Sequence, residues 1–523
     1  MAQRTGGQLL VDALAQQGVR TIFGIPGVQL DHAADALYLA ADRISFFCAR
    51  NEQATTYMAD GYARSTGTPG VAMVVPGPGV LNALAGLATA YSANSRVLLL
   101  AGQIDSRLIG QGYGALHEIP DQAGILSRLT KWTGTARRAD DIPALVTRAF
   151  TELRGGRPRP VALELPPDVL AATTDAGTGE YAEPSPVPPS DPDVERAARL
   201  LLAAKRPLIY AGGGVLAAGA SAALTELAEV LEAPVLVSEN ARGAIDARHR
   251  LAFDGLALRA FRADADLGEP RAAELAIHAD AGLGLRALAA AVGRPRRESR
   301  ENEFEQVRKW LEDCLADIAP QREYLAAIRA ALPDDGVFVS ELTQVGYAAS
   351  VCFPVYHPRG YIGPGYQGTL GYGFATALGA KAADPSRAVI SVTGDGGFSW
   401  TMPELSTLRR YGLGLVTVVF NDGYFGNVRR IQKNRYGARY FASELTNPDY
   451  QQLASAFAIG FARARDPGSL AGVLREAVPA GEPVLVEVPS GEFPSPWHLI
   501  HEGIPRPAPI APGAHLLTER RHA

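Results

Sequence analysis

Short apolar runs bounded by glycine or proline alternate along the chain with stretches of helical periodicity. Gly70–Val75, Arg96–Leu100 and Pro160–Leu165 read as strands buried on both faces, and Val80–Ala90 has the spacing of a helix between the first two. A second set comprises Arg206–Ala211, the turn Gly212-Gly213-Gly214, an Ala-rich helix and Ala233–Val237; from about Phe253 to Arg300 convincing strands are few. The alternation returns in Gly336–Ser340, Ala388–Thr393, Leu415–Phe420 and Pro483–Val488. Such a pattern predicts an α/β fold of three domains with parallel sheets, the central one shortened. The Pro-, Ser- and Asp-rich stretch Ala171–Asp193 has the composition of a linker, and the expected limits are 1–172, 190–300 and 320–505. The opening MAQRTGGQLLVDALAQQG, with Asp12 inside its apolar stretch, reads as an amphipathic helix and not as a signal sequence. The tail Pro494–Ala523, with four His, reads as a lid or an ordered strap.

Composition narrows the class. A chain of 523 residues exceeds the roughly 250–300 at which one core stops growing, in keeping with several domains. A net charge of −5 gives no general field for attracting nucleic acid, so an anionic ligand needs a local site. Cys48, Cys314 and Cys352 form neither a disulfide framework nor a metal knuckle, and no apolar run approaches the roughly 20 residues of a membrane span. A cytoplasmic enzyme is the expectation.

The candidate chemistry is concentrated at strand ends. Val392-Thr393-Gly394-Asp395-Gly396-Gly397-Phe398 closes one apolar run, and Phe420-Asn421-Asp422-Gly423-Tyr424 closes the next. In an open parallel sheet ligands lie beyond the carboxyl ends of strands, so Asp395 and Asp422 can converge there. Magnesium takes oxygen ligands and shares them with phosphates, and glycines let backbone N–H groups approach those phosphates. The bland alternative is an ordinary turn at the glycines and a strand-to-helix loop at Asn421–Gly423. Between them Thr401-Met402-Pro403-Glu404 has the form of a capping box opening a helix at Pro403–Tyr411.

These segments resemble the thiamine-diphosphate motif that begins GDG and ends in an Asn pair. The resemblance implies that Asp395, Asp422 and the Tyr424 carbonyl bind Mg2+, with Gly396, Gly397, Phe425 and Gly426 beside the cofactor; Asp422 stands where the family has Asn and adds a negative charge. Arg50-Asn51-Glu52-Gln53-Ala54 is similar to the pyrimidine-domain signature, which makes Glu52 the carboxyl that contacts N1′ of the aminopyrimidine and promotes formation of the C2 ylide. A Glu at a helix start is otherwise a solvated residue favoured by the macrodipole. Loops resembling those of acetolactate synthase and its relatives imply cofactor contacts at Pro26, Pro78, Asn82, Val345, Gly346 and Gly368. Leu370 would be the apolar buttress that bends the cofactor; the alternative is an ordinary core leucine.

The implied activity is that of an acetolactate-synthase-like carboligase or decarboxylase acting on a 2-oxoacid through an ylide and an enamine, with an aldehyde as a further acceptor. The alternatives are an acyloin lyase or simple 2-oxoacid decarboxylase of the same superfamily, or a catalytically silent thiamine-binding paralogue. His117 in Leu116-His117-Glu118 replaces a synthase Gln, and Ile431 replaces an acceptor-selecting Trp, so substrate handling should differ. His117 reads either as a proton shuttle or as a loop histidine bonded to backbone. Gly212-Gly213-Gly214 lacks a GxGxxG pattern and is assigned no site, and FAD is not expected. The resemblance also implies a homodimer or homotetramer with active sites between subunits.

Overall fold

Strands β1 (Thr21–Gly24) and β2 (Ser45–Cys48), helix α1 (Glu52–Thr66), β3 (Gly70–Val74), α2 (Pro78–Ser92), β4 (Val97–Gly102), β5 (Trp132–Thr135) and β6 (Val161–Leu165) frame the first domain in the computed structural model, which describes residues 3–179, 183–261, 273–295 and 297–500. Their sheet is parallel throughout, in the order β2-β1-β3-β4-β6-β5. Every residue of β3, β4 and β6 is buried, because helices cover both faces. The amino-terminal amphipathic helix forms as Gly6–Gln16, with a capping box between Thr5 and Gln8.

The central sheet holds β7 (Ile209–Ala211), β8 (Val235–Val237) and β9 (Ala252–Asp254) in the order β9-β8-β7, also parallel. The third of these, at the edge of the region where strands were expected to be few, is only three residues long. The last domain contains β10 (Val337–Ser340), α3 (Gln344–Cys352), β11 (Tyr361–Ile362), α4 (Tyr372–Ala383), β12 (Val389–Gly394), α5 (Asp395–Thr401), α6 (Leu405–Arg410), β13 (Val416–Asn421), α7 (Gly426–Arg435), β14 (Gly460–Arg463) and β15 (Val484–Pro489). Its parallel sheet runs β11-β10-β12-β13-β15-β14. The α/β class with three parallel-sheet domains is as the hydrophobic pattern predicts. Residue 505, the expected end of the third domain, and the tail beyond Ile500 lie outside the described residues.

The first and last domains share one core. A continuous apolar cluster runs from Phe23, Tyr57 and Leu87 through Phe374 and Leu378 to Phe398 and Leu405. At its centre α1 and α4 come into backbone contact: a Cβ on Gly61 would lie 1.9 Å from the Thr376 carbonyl oxygen, and one on Gly379 would lie 1.9 Å from that of Met58. Gly379→Ala should therefore cost about 1–3 kcal/mol of stability, since neither backbone can recede. Gly472→Ala, in the helix Pro467–Ala480 with open space around it, should instead add about 0.5–1 kcal/mol. Paired denaturant titrations of the two variants check this, and equal midpoints would contradict it.

Candidate active site

The loops at the carboxyl ends of the first sheet bring several expected residues together. Pro26 follows β1, Glu52 opens α1 just after β2, Pro78 opens α2 after β3, and His117 lies in the connection after β4. Asn51 caps α1 by accepting from the Gln53 N–H at 2.8 Å, which fixes where the helix begins. The Glu52 carboxylate accepts a 3.0 Å hydrogen bond from the Asn82 side-chain amide. Beneath the Gly77-Pro78 turn the Gln122 carboxamide accepts from Gly77 N–H at 2.9 Å and donates to buried Glu164 and to the Gly102 carbonyl, each at 2.9 Å. His117 adopts a left-handed φ of 69°, and its carbonyl oxygen lies 2.3 Å from where a Cβ on Gly77 would sit. Its Nδ1 is buried and makes no hydrogen bond, so this ring nitrogen is not tied to backbone as a loop histidine's would be.

In the last domain three neighbouring strands each end in an acid: Glu341 after β10, Asp395 after β12 and Asp422 after β13. Asp395 Oδ2 accepts from the Gly423 N–H at 2.9 Å and from the Asn447 amide at 2.6 Å. Asp422 accepts from the Tyr424 N–H and from the Gln344 amide, each at 3.0 Å. Burial and then the neighbouring charge of Asp395 push Asp422 up to about 6, and burial raises Asp395 as well. Two desolvated carboxylates that repel each other fit a cation between them. Among the described residues there is no cluster of three or more His, Cys, Asp or Glu side chains able to hold a metal. A cation here would complete its shell with backbone and ligand oxygens, which suits Mg2+.

The glycines around these acids serve close packing. A Cβ on Gly396 would stand 2.9 Å from the Phe425 ring, one on Gly397 2.1 Å from a Glu341 oxygen, and one on Gly426 2.7 Å from Asp422 Oδ2. Val345 is fully buried, and the adjacent Gly346 N–H donates to the Thr343 hydroxyl that caps α3. Gly368, with φ 57°, precedes Leu370, which is 37% exposed in the single chain. The Thr369 hydroxyl pairs with Tyr57 OH at 2.9 Å, joining this turn to α1. Ile431 lies on α7 and is 39% exposed.

Sequence reasoning misjudged one motif and overlooked others. The expected helix Pro403–Tyr411 forms as a 3-10 turn at Met402–Glu404 that leads directly into α6. No capping box forms there, because both side chains have partners elsewhere. The Thr401 hydroxyl donates to the Gly371 carbonyl at 3.2 Å, and buried Glu404 accepts from the N–H groups of Arg50 and Asn51 in the first domain. Glu341 was missed although it ends an apolar run just as Asp395 does. Its carboxyl accepts from Gly371 N–H at 2.7 Å, from Gly373 N–H at 3.3 Å and from the Thr393 hydroxyl. The side-chain roles of Gln344 and Asn447 had no local signal.

Models of the thiamine pyrophosphate enzyme family match in three places: the N-terminal TPP binding domain at residues 4–125, the central domain at 194–267 and the C-terminal TPP binding domain at 342–488. With strand-end acids in the last domain and Glu52 in the first, the chain belongs to the thiamine pyrophosphate enzymes. Within that family it is acetolactate-synthase-like, an enzyme that forms or cleaves carbon–carbon bonds with thiamine diphosphate. A probable acetolactate synthase large subunit of Methanocaldococcus jannaschii is 31% identical over 92% of this chain and 91% of its own length. The acetolactate synthase isozyme 3 large subunit of Escherichia coli is 31% identical, covering 91% and 93%. A probable 2-ketoarginine decarboxylase of Pseudomonas aeruginosa is equally similar, at 31% over 92% and 94%. No helix among the described residues is long and apolar enough to cross a membrane.

The buried Glu341 carboxyl generates a pH prediction. Burial raises it from an ordinary 4.5 to about 7, so the folded protein holds a proton that the unfolded chain releases earlier. Its contribution is fully present below about pH 4.5 and is lost as pH rises through about 7. Glu341→Gln should therefore lose less stability than wild type between pH 5 and 7.5, the two curves diverging by about 1–3 kcal/mol. Urea midpoints at the two pH values measure it; parallel curves would contradict the assignment.

Proposed function

We propose that this protein decarboxylates a 2-oxoacid with thiamine diphosphate held through Mg2+ at Asp395, Asp422 and the Tyr424 carbonyl, and that the product is then protonated or joined to an aldehyde. The carrying observation is the pair of desolvated carboxylates on adjacent strand ends, ringed by glycines that leave no room for side chains. When bound, the cofactor supplies a nucleophilic carbon and an electron sink for the electrons released with carbon dioxide. Glu52, oriented by Asn82, holds a proton at the pyrimidine ring. The backbone around Pro26, Pro78, Gly346 and Gly368 and the Leu370 side chain position the cofactor, and Phe425 and Gly426 close the metal loop.

His117 is the proposed proton donor and acceptor, and Ile431 forms the apolar wall against the second substrate. An imidazole can both donate and accept a proton, which an amide does not, and isoleucine presents less area than an indole. Simple decarboxylation is the second reading, favoured by the proton-transfer capacity of His117 and by the name of the relative from Pseudomonas. Leu116, Tyr366, Trp400 and Leu370 are all exposed in the single chain, as surfaces covered by a second copy would be, and a homodimer or homotetramer is proposed. Three free cysteines suit a reducing cytoplasm.

Chelator-treated, dialysed protein should release carbon dioxide from a panel of 2-oxoacids only after both thiamine diphosphate and Mg2+ are restored; turnover without either would overturn the proposal. Acetolactate formation from pyruvate alone should be weak beside a bulkier oxoacid or an added aldehyde. In His117→Gln the turnover number should fall by roughly 100-fold or more while cofactor affinity is unchanged. Efficient acetolactate synthesis, equal in wild type and His117→Gln, would count against the roles of His117 and Ile431.

A further inference from the structure

The segment that leads into Glu52 is held by side chains from the opposite end of the chain. Tyr411 OH accepts from the Cys48 N–H at 2.7 Å and donates to the Phe46 carbonyl at 3.2 Å, while its ring lies 4.4 Å from that of Phe47. One oxygen of Glu404 accepts from the N–H groups of Arg50 and Asn51, at 2.9 and 3.0 Å, and the other accepts from the Thr407 hydroxyl at 2.5 Å. Glu404 is wholly buried. The peptide groups of Arg50 and Asn51 precede the first turn of α1 and have no helical partner, so the direction in which α1 leaves β2 depends on this acceptor.

From these contacts we infer that Glu404 is a positioning residue for Glu52: it sets the angle and height of the α1 N-terminus, and hence of the carboxyl that meets the cofactor ring. The inference rests on the role of Glu52 proposed above. The geometry calls for a carboxylate-shaped acceptor, because a single oxygen receives two adjacent backbone N–H groups while its twin is anchored by Thr407. The same stretch, residues 395–411, begins with the metal-site Asp395 and ends with Tyr411. One continuous segment thus carries a metal carboxylate at one end and clamps the approach to Glu52 at the other. A brace between domains would need only an apolar plug at position 404. The paired N–H contacts immediately before Glu52 are what a positioning role adds.

The test is exchange of the cofactor C2 proton for deuterium in the holoenzyme, read by quenched proton NMR, alongside affinity for thiamine diphosphate and Mg2+. Glu404→Leu should slow exchange by roughly 10- to 100-fold, as a small misplacement of a reacting group does, with cofactor affinity within about threefold of wild type. Glu404→Gln keeps an oxygen for both N–H groups, and Thr407 can rotate to accept, so exchange should return to near the wild-type rate. Wild-type exchange in Glu404→Leu, or Glu404→Gln as slow as Glu404→Leu, would overturn the inference. If Glu404→Leu yields no folded holoenzyme, Tyr411→Phe takes its place: a several-fold slowing supports the clamp, and an unchanged rate overturns it. Glu52→Gln is measured in parallel. Wild-type exchange there would sink the role of Glu52 itself, whereas slow Glu52→Gln with fast Glu404→Leu would remove only the positioning role.

Discussion

Two helices from distant parts of the chain, α1 and α4, approach so closely that each backbone occupies the space where the other's side chain would be, and the geometry of the proposed site depends on that contact. Gly61 and Gly379 make it possible. Around it polar groups fix the register. Arg64 of α1 donates to the Gly363 carbonyl and to Tyr372 OH at 2.5 and 2.9 Å, and reaches Asn240 of the central domain at 3.2 Å. The Tyr372 hydroxyl in turn donates to fully buried Asp60. One guanidinium therefore ties three domains together, and a charge this deeply placed is tolerated because its donors are matched. The Glu404 clamp and the pairing of Tyr57 with Thr369 extend the same docking to the edges of the site.

The three strand-end acids of the last domain show how one topology supplies different chemistry. Glu341 is enclosed by the N–H groups of Gly371 and Gly373 and by Thr393, and it joins the turn carrying Leu370 to the strand that ends at Asp395. Asp395 and Asp422 lie side by side with amide partners and charges that oppose each other. Gln344 uses its whole carboxamide here, donating to Asp422 and the Gly491 carbonyl while accepting from Arg430 and the Phe493 N–H. The donated hydrogen bond, with Arg430 behind it, offsets part of the cost of the charge on Asp422.

Most of the fold was legible because strands buried on both faces are apolar along their length, as β3 and β4 are. Strand β9 escaped because Ala252, Phe253 and Asp254 are too few and too mixed to form a run. Asp395 and Asp422 could be read because each follows an apolar run, and Glu341 could have been found by the same rule; Glu52, after a strand with no buried residue, was legible only through its resemblance to the pyrimidine-domain signature. Glu404 was misread for a physical reason: a Ser/Thr-x-x-Glu pattern describes a local cap, while its true partners lie some 350 positions away and leave no trace in the local sequence. Leu370 and His117 were singled out by the resemblance, while the exposure of the one and the left-handed backbone of the other are not encoded in spacing.

The central claim is that metal carboxylates and the pyrimidine-side carboxylate perform separable tasks on one cofactor. Titrating thiamine diphosphate with Mg2+ into wild type, Glu52→Gln and Asp395→Ala by calorimetry tests it directly. The account predicts binding to wild type and to Glu52→Gln within about tenfold of each other, and no measurable binding to Asp395→Ala, whose remaining groups leave the diphosphate charge poorly neutralised. Equal affinity in all three proteins would contradict it.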